Sequence, residues 1–471
     1  MKIKFLSLLV GLFAVSLVAT SCLKSDSEEV VYGSETSITA FSIGTVNIQK
    51  VAKDQQGKDS IYTDSLNCSA YPFTIDQLNR TIENRDSLPV GCDISRVLTR
   101  VTGDTQLITY VKPSTTKDTL WTNTDSIDFS KGPVTFKVYT YNGLVGKPYT
   151  VKVNVHKQDP DTLVWSTIDH TFSGGDLTRQ KAVCAGGKLY VFGQQGTKVV
   201  AQYATINAGQ LSSWNVIELP EGTDTYSPVA WLGSVYFLAD GKLRKLSTDT
   251  GTVDLVADAP ELRQLLGGFD GTEGSTSTLY AQNSEGQFVS LRGGTWNTDE
   301  QTPSTFPEGE RLSAVSIPLG YNKALVRTIL MAHNPSSTDT TSLVYLRTEG
   351  SDKGWGLKVQ NNPETCPNLE NITMVYYDKK LYAFGGGVNG TKVTPFNSFY
   401  VSADNGLTWL PVTRHLFFPE DGSFKALYEN GGGEYSAVAD NMEQNHFIWI
   451  IWKNGSVSRG RINRLGFAPK W

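Results

Sequence analysis

A turn followed by a short apolar run recurs along the C-terminal two thirds of the chain. The two clearest copies read Gly186-Gly-Lys-Leu-Tyr-Val-Phe-Gly193 and Asp378-Lys-Lys-Leu-Tyr-Ala-Phe-Gly385. Alignment on this element gives six units, centred on residues 188–192, 234–238, 278–282, 324–330, 380–384 and 446–451. A period of roughly 45 to 50 residues accommodates four short antiparallel strands, which is typical of one blade of a kelch-like β-propeller.

The number of blades depends on how the two ends of the repeat region are assigned. The six units predict a six-bladed β-propeller. Seven blades would follow if residues 164–172 begin a split blade that the C-terminus completes. In both arrangements the ring closes as one unit, because a single blade cannot bury both of its faces.

The N-terminal part of the chain has a different strand pattern. Residues 134–139 and 149–155 alternate apolar with polar side chains, as strands with one buried face do, and residues 38–43 and 107–111 also have strand character. These short strands predict a β-sandwich of the immunoglobulin-like type at residues 35–157. Pro160 interrupts the pattern within a polar linker, so we place the propeller at residues 163–471 and expect an all-β protein.

The first 22 residues have the pattern of an export signal. Lys2 and Lys4 precede an apolar run at residues 5–18 that is too short to span a bilayer, and small residues then precede Cys22. This arrangement resembles the lipobox of bacterial lipoproteins, in which the cysteine becomes the lipidated first residue. The polar residues that follow resemble the acidic tether that directs Bacteroidota lipoproteins to the outer face of the outer membrane. The alternative is ordinary secretion with a chance cysteine.

The lipobox resemblance implies a signal peptide at residues 1–21, lipidation of Cys22 and a flexible tether at residues 22–34. The membrane partner would be reached through this N-terminal lipid anchor. The protein would then lie on the outer membrane and face the cell exterior.

Two further stretches carry a resemblance that extends over nearly the whole chain. Residues 73–76, 82–84 and 86–94 are similar to the N-terminal module of a family of Bacteroidota surface lipoproteins, and Gly460-Arg-Ile-Asn-Arg-Leu-Gly-Phe467 is similar to the closing motif of that family. Its members have an immunoglobulin-like domain followed by a kelch-like or Asp-box-like β-propeller. The resemblance implies an architecture and a location, and it implies no activity.

Charge and cysteine content narrow the classes of function. The formal net charge of −5 provides no basic surface for phosphate backbones, so we expect no nucleic-acid partner. Cys68 and Cys92 are a candidate disulfide in an exported protein, whereas Cys184 and Cys366 are expected to be free thiols. No histidine or cysteine stands at metal-ligand spacing, so the sequence predicts neither a metal nor a cofactor.

Ser402-Ala-Asp404-Asn-Gly406-Leu-Thr-Trp409 matches the Asp-box of sialidase-like propellers. Residues 207–214 and 348–355 look like degraded copies. In that family the box is a structural hairpin that lies away from the catalytic centre: Asp404 would accept hydrogen bonds from the turn, Gly406 would supply a positive φ, and Trp409 would pack between blades.

No catalytic constellation stands out in the sequence. The arginines, Arg311 among them, show no diagnostic spacing, and the carboxylates are scattered mostly in turns. The sequence therefore favours a non-catalytic cell-surface binding module for glycan or protein ligands. The alternative is a glycan-processing enzyme, a sialidase-like hydrolase, on the same scaffold. Aromatic residues in the loops could stack on sugar rings, although packing between blades is the more frequent role; the candidates are Tyr226, Phe269, Tyr321, Phe396 and Tyr435.

Overall fold

The structure is a computed structural model that describes residues 35–467, apart from 54–58, 113–114, 273, 310, 337–339, 351–353, 359–363 and 441–445. The expected signal peptide, Cys22 and the tether lie outside these residues. The chain divides into two compact units between Asp159 and Pro160. Within the described ranges, no helix is both long enough and apolar enough to cross a bilayer.

The first unit is built entirely from short strands in its described part. Its strands are β1 (Ile38–Ile43), β2 (Thr45–Lys53), β3 (Asp59–Asn67), β4 (Phe73–Asp76), β5 (Thr81–Asn84), β6 (Cys92–Asp93), β7 (Val97–Gly103), β8 (Leu107–Val111), β9 (Asp118–Leu120), β10 (Ser126–Ile127), β11 (Val134–Tyr139) and β12 (Tyr149–Lys152). The largest sheet has the order β4-β5-β12-β11-β8-β9, and two smaller sheets have the orders β1-β7-β10 and β3-β2-β6.

The core of the first unit contains side chains from the largest sheet and from the β1-β7-β10 sheet. Strand β11 alternates, with Val134, Phe136 and Val138 buried and the residues between them partly exposed. The ring of Phe136 lies 6.1 Å from that of Phe41 on β1, in an edge-to-face arrangement. Two sheets that share one core form a β-sandwich. The finer expectation, an immunoglobulin-like arrangement, stays a prediction.

Cys68 and Cys92 are both free thiols in the structure. Cys68 is buried in the sandwich core, and Cys92, at the start of β6, packs against the same core. Burial raises the pKa of both thiols, and with the nearby Cys68 it raises that of Cys92 to about 11. The disulfide between them is not formed in this structure and stays a prediction.

The second unit contains six sheets in its described residues, one for each blade. The first four blades are β14 (Thr178–Ala185), β15 (Lys188–Gln195), β16 (Lys198–Asn207), β17 (Gln210–Leu211) and β18 (Asn215–Glu218); β19 (Val229–Trp231), β20 (Ser234–Ala239), β21 (Lys242–Leu246) and β22 (Val253–Leu255); β23 (Leu262–Phe269), β24 (Thr278–Asn283), β25 (Gln287–Arg292) and β26 (Thr295–Gln301); and β27 (Ser313–Leu319), β28 (Asn322–Ala332), β29 (Leu343–Glu349) and β30 (Gly356–Leu357).

The fifth blade is β31 (Thr373–Tyr377), β32 (Lys380–Phe384), β33 (Tyr400–Ser402) and β34 (Leu410–Pro411), and the sixth is β35 (Tyr435–Ala439), β36 (Ile448–Trp452), β37 (Val457–Ile462) and the much earlier strand β13 (Leu163–Ile168). Helix α1 (Ser423–Asn430) lies in the connection from β34 to β35, and a 3₁₀ turn (Asn463–Gly466) follows β37. The all-β class and the propeller are therefore confirmed.

The two ends of the repeat region meet in the sixth blade. Strand β13 pairs antiparallel with β37, from Leu163 opposite Ile462 to Ile168 opposite Val457. A split blade is therefore present, but it is the sixth blade and not a seventh. Pairing of the first strand with the last joins the two ends of the repeat region by backbone hydrogen bonds and so closes the ring.

The repeated motif lies in the second strand of each blade, counted from the channel. In β20 all six residues are buried, whereas most residues of the outer strand β26 are exposed. A strand covered on both faces reads as a continuous apolar run. Six hydrophobic cores fill the spaces between neighbouring blades.

Candidate functional site

The innermost strands β14, β19, β23, β27, β31 and β35 contact one another in sequence, and β35 contacts β14. They surround a central channel with a volume of about 240 Å³. Much of its lining is small, including Ala182, Gly267 and Ala437. Among its described lining residues, only Lys181 and Arg311 carry a charged side chain at neutral pH. The channel is therefore a small space with positive charge on its wall.

Both cations lie at the end where the innermost strands begin. Lys181 is in the first half of β14, Arg311 lies two residues before β27, and Tyr226 lies three residues before β19. We call this end, defined by these three residues, the upper mouth. The strands end at the opposite side, which Gly186, Leu232 and neighbouring turn residues line.

Lys181 is held by a neighbouring blade. Its Nζ donates a hydrogen bond of 2.9 Å to the carbonyl oxygen of Tyr226. Burial lowers the pKa of Lys181 to about 8; the carboxylate of Asp224 opposes this shift, and the positive charge of Arg311 adds to it. The ammonium group therefore lacks full charge compensation, and an anion placed beside it would stabilise its protonated form.

Arg311 is fixed by groups on the fifth and sixth blades. Its Nη1 donates to the carbonyl oxygen of Tyr435 at 2.9 Å, and its Nη2 donates to Oγ1 of Thr373 at 3.2 Å. The guanidinium carbon also lies 5.0 Å from the centre of the Tyr435 ring. Within the described residues, no carboxylate forms an ion pair with Arg311 or with Lys181. Arg311 is therefore held in place while its charge remains available.

Tyr226 contributes a partly exposed ring at the upper mouth. The guanidinium of Arg179 lies 4.6 Å from its centre. Burial raises the pKa of Tyr226, with smaller influences from Arg311, Glu434, Arg179 and Asp224. These influences place two cations and two carboxylates around one ring. The raised pKa keeps the phenol protonated at neutral pH.

A buried amide lies next to Lys181 in β14. Gln180 is fully buried, and its Oε1 accepts a long hydrogen bond of 3.4 Å from Oγ of Ser436 on β35. Its Nε2 has no partner among the described residues. A buried donor without a partner is costly, so polar groups of the innermost strands are not all satisfied within the protein.

The five loop aromatics of the sequence analysis do not form one surface. Phe269, Phe396 and Tyr435 are buried, and Tyr321 is exposed on the turn between β27 and β28. Of the five, Tyr226 and the buried Tyr435 lie at the upper mouth, and of these two only Tyr226 is partly exposed. Lys181 had no distinguishing signal in the sequence analysis, and Arg311 was only one of many arginines. A usable signal would have been a cation in or just before a strand that precedes a copy of the repeated motif, as at Lys181 and Arg311.

The Asp-box residues form a closed hairpin between β33 and β34. Oδ1 of Asp404 accepts hydrogen bonds from Oγ of Ser402 at 2.8 Å and from the backbone N–H groups of Leu407 at 3.1 Å and Thr408 at 2.9 Å, and its Oδ2 accepts one from Oγ1 of Thr408 at 2.6 Å. Gly406 has φ of 89°. Trp409 is 1% exposed and packs among residues of the fourth and fifth blades.

The box lies at the end of the propeller away from the upper mouth. The first strand of a blade starts at the upper mouth and neighbouring strands are antiparallel, so the turn from the third strand to the fourth is at the opposite end. The degraded copies also follow third strands, β16 and β29. The box therefore stabilises the scaffold and does not contribute to the upper mouth.

Replacement of Asp404 by alanine should lower the free energy of unfolding by about 1–3 kcal/mol at pH 7, because turn donors lose their acceptor. Burial alone would raise the pKa of Asp404, but the hydrogen bonds from Thr408, Ser402 and Leu407 lower it overall. A depressed pKa stabilises the fold above the unfolded pKa, so the difference between wild type and variant should shrink as the pH falls through 4 towards 2.

Urea denaturation at several pH values measures this difference. Asp254→Ala is the matched control, because Asp254 is exposed on the outer strand β22. A difference between wild type and Asp404→Ala that stays constant from pH 7 to pH 2 would show that the charged carboxylate has no such role.

No group of three or more His, Cys, Asp and Glu side chains that could hold a metal ion converges anywhere in the described ranges. The buried thiol of Cys366 has its pKa raised by burial, and Cys184, which lines the channel, has its pKa raised to about 12, chiefly by burial. Both are therefore weak nucleophiles.

Two family models match the chain along almost its whole length. Residues 159–470 match the DUF6242 beta propeller domain, and residues 41–153 match the DUF6242 N-terminal domain. The chain belongs to the DUF6242 family. No curated protein matches it.

Several solved structures are similar to this DUF6242 chain. An auxiliary nutrient binding protein from Bacteroides thetaiotaomicron is 11% identical with a TM-score of 0.38, over 80% of this chain and 95% of that chain. The SapL1 lectin, solved in complex with alpha methyl fucoside, is 14% identical with a TM-score of 0.35, over 60% and 90%. A subtype N10 neuraminidase-like protein of A/little yellow-shouldered bat/Guatemala/060/2010 is 12% identical with a TM-score of 0.33, over 63% and 97%. Likenesses at this level carry no argument about ligand or activity.

Proposed function

We propose that this DUF6242 protein is a non-catalytic binding module of the cell surface, and that its propeller binds glycan or protein ligands at the upper mouth. The observation that carries the proposal is the pair Lys181 and Arg311, held on the channel wall without an ion pair in the described residues. Polar side chains fixed in this way have lost their conformational freedom before any ligand arrives, which favours binding.

The rigid ring supports the same proposal. Arg311 is anchored to two other blades, so its position does not depend on a mobile loop. Binding sites on propellers lie where several blades meet, since each blade supplies one part of the surface. The sandwich of residues 35–157, whose immunoglobulin-like arrangement is also part of the proposal, would act as a spacer between the membrane and the propeller.

Attachment to the outer membrane is the second part of the proposal, and it rests on the lipobox-like residues before Cys22. Lipid chains would hold the protein at the surface without a membrane-spanning helix. Metabolic labelling with an alkyne fatty acid in a Bacteroidota host should label the wild type and not Cys22→Ser. Equal labelling of both would refute lipidation at this residue.

Glycan arrays and pull-down from the native environment test the binding function. The protein to use is the chain from residue 22 onward with Cys22→Ser, which omits only the expected signal peptide. Saturable binding that Lys181→Gln or Arg311→Gln weakens is the expected result. Binding that both variants leave unchanged would place the ligand elsewhere and refute the upper mouth as the site.

A glycan-processing hydrolase is the second candidate, because Tyr226 lies within electrostatic reach of Arg179, Arg311 and Glu434. A tyrosine nucleophile needs to lose its proton, and the raised pKa of Tyr226 opposes this step. Fluorogenic sialosides and other glycosides decide the question. Turnover that disappears in Tyr226→Phe would replace the binding proposal by an enzymatic one.

A further inference from the structure

The chemical class of the ligand can be inferred from the charges at the upper mouth, if the proposed binding function holds. Lys181, Arg311 and Arg179 are positive, and Asp224 and Glu434 are negative. Among the described residues that line the channel, however, the only charged side chains are the cations Lys181 and Arg311. An anionic group in the channel would therefore lie beside two positive charges.

The size and polarity of the channel limit the ligand further. A volume of about 240 Å³ is too small for a folded polypeptide segment and is comparable to one sugar ring with its substituents. Ser313, Ser316 and Thr373 line the channel together with backbone groups of the innermost strands. Hydroxyl groups of this kind can donate to or accept from sugar hydroxyls.

The donors at the mouth suit a carboxylate. Arg311 has five N–H groups, of which two are used by Tyr435 and Thr373 in the described residues. Arg311 and Lys181 both line the channel, so the remaining donors and the ammonium are the charged groups available to an anion there. Charge-assisted hydrogen bonds to a carboxylate are stronger than neutral ones.

We propose that the upper mouth binds the carboxylate of an acidic sugar, with Lys181 and Arg311 as the two cations that recognise it and the small-residue channel below them taking the sugar ring.

Protonation of Lys181 provides an independent signature. The groups that act on it are Tyr226, whose carbonyl accepts its hydrogen bond, and the charges of Asp224 and Arg311. With a pKa near 8 in the free protein, the ammonium loses its proton as the pH rises from 7 to 9. Affinity for the acidic sugar should therefore fall over this interval. In Lys181→Arg the charge persists, so the affinity should stay constant.

The experiment compares glucuronate with glucose, and N-acetylneuraminate with N-acetylmannosamine, by calorimetry or ligand-observed NMR on the chain from residue 22 onward with Cys22→Ser. The acidic sugars should bind and the neutral ones should bind more weakly. Lys181→Gln and Arg311→Gln should each weaken binding of the acid roughly 10- to 100-fold, as expected for loss of a charged hydrogen bond. Lys50→Gln is the control, since Lys50 is exposed on β2 of the sandwich and paired with Asp64.

The outcomes separate this inference from the function on which it rests. Equal binding of acidic and neutral sugars, or acid binding unchanged in both variants, overturns the carboxylate site but leaves a glycan-binding protein. Arg311→Gln loses structural hydrogen bonds, which can prevent this variant from folding. In that case the inference is tested by Lys181→Gln, by Lys181→Arg and by the preference of the wild type for acidic over neutral sugar. Binding to protein ligands alone, with no sugar bound, overturns this inference and keeps the proposed function; no binding to glycan or protein overturns both.

Discussion

Trp409→Ala is expected to lower the free energy of unfolding by about 3–5 kcal/mol, the usual cost of removing a buried tryptophan. Trp409 is 1% exposed and lies in the core between the fourth and fifth blades, which also contains Ile329 of the fourth blade and Met374 of the fifth. Its backbone N–H also donates to the carbonyl oxygen of Glu364 at 3.0 Å, which fixes the chain at this point. The cavity would open at the contact between two blades, and a propeller depends on every such contact to keep its ring closed.

Equilibrium denaturation in urea measures the effect, and Trp409→Phe is the matched control. The indole Nε1 of Trp409 has no partner in the described part of the chain, so phenylalanine removes no hydrogen bond and keeps most of the apolar volume. We expect it to cost less than about 1.5 kcal/mol. Equal losses in the two variants would show that the blade contact does not depend on the bulk of this side chain.

Gly460→Val is expected to destabilise the closed ring by about 1–3 kcal/mol, the range for overpacking of a tight site. Gly460 lies in β37, directly opposite Trp165 of β13. A Cβ at this position would lie 2.8–2.9 Å from three atoms of the Trp165 ring. That ring stacks on Phe418 at 5.8 Å, and its Nε1 donates to the carbonyl oxygen of Phe417 at 2.8 Å, so it cannot move aside without losing these contacts.

Gly356→Val is the matched control for the closing strand. Gly356 is also in a strand, β30, and a Cβ there would meet no atom of the described residues within 4 Å. The control should change the free energy of unfolding by less than about 0.5 kcal/mol, as surface substitutions do. Differential scanning calorimetry of the two variants would compare them directly. A loss in Gly356→Val as large as that in Gly460→Val would mean that β13 and β37 have no special role in closure.

The Gly460 result would also explain the C-terminal motif that the sequence analysis associated with a family of surface lipoproteins. Residues 460–467 include the middle and end of β37 and the 3₁₀ turn behind it. The glycine is needed because a neighbouring strand places an indole ring over it. The sequence contains both residues but does not show that they are partners, since they are nearly three hundred positions apart.

The sequence by itself determined the all-β class, the two-part organisation and the propeller. These features depend on local sequence patterns. A strand that is buried on both faces has a continuous apolar run, and this run is repeated in each blade, as at Leu189 and Leu381. The Asp-box was visible for the same reason, because Asp404 makes all of its turn contacts within a few residues.

Only the tertiary structure decided the site and the closure of the ring. Lys181 and Arg311 are 130 positions apart and line the same channel because the first and fourth blades both surround it. The two cations are available to a ligand because, among the described residues, no carboxylate forms an ion pair with either of them. Arg311 is also held in place by anchors such as Tyr435 that come from other blades. The seven-blade alternative is excluded by another long-range contact, because β13 and β37 pair to complete the sixth blade. Long-range pairing and charge balance are properties of the folded ring, and no local pattern encodes them.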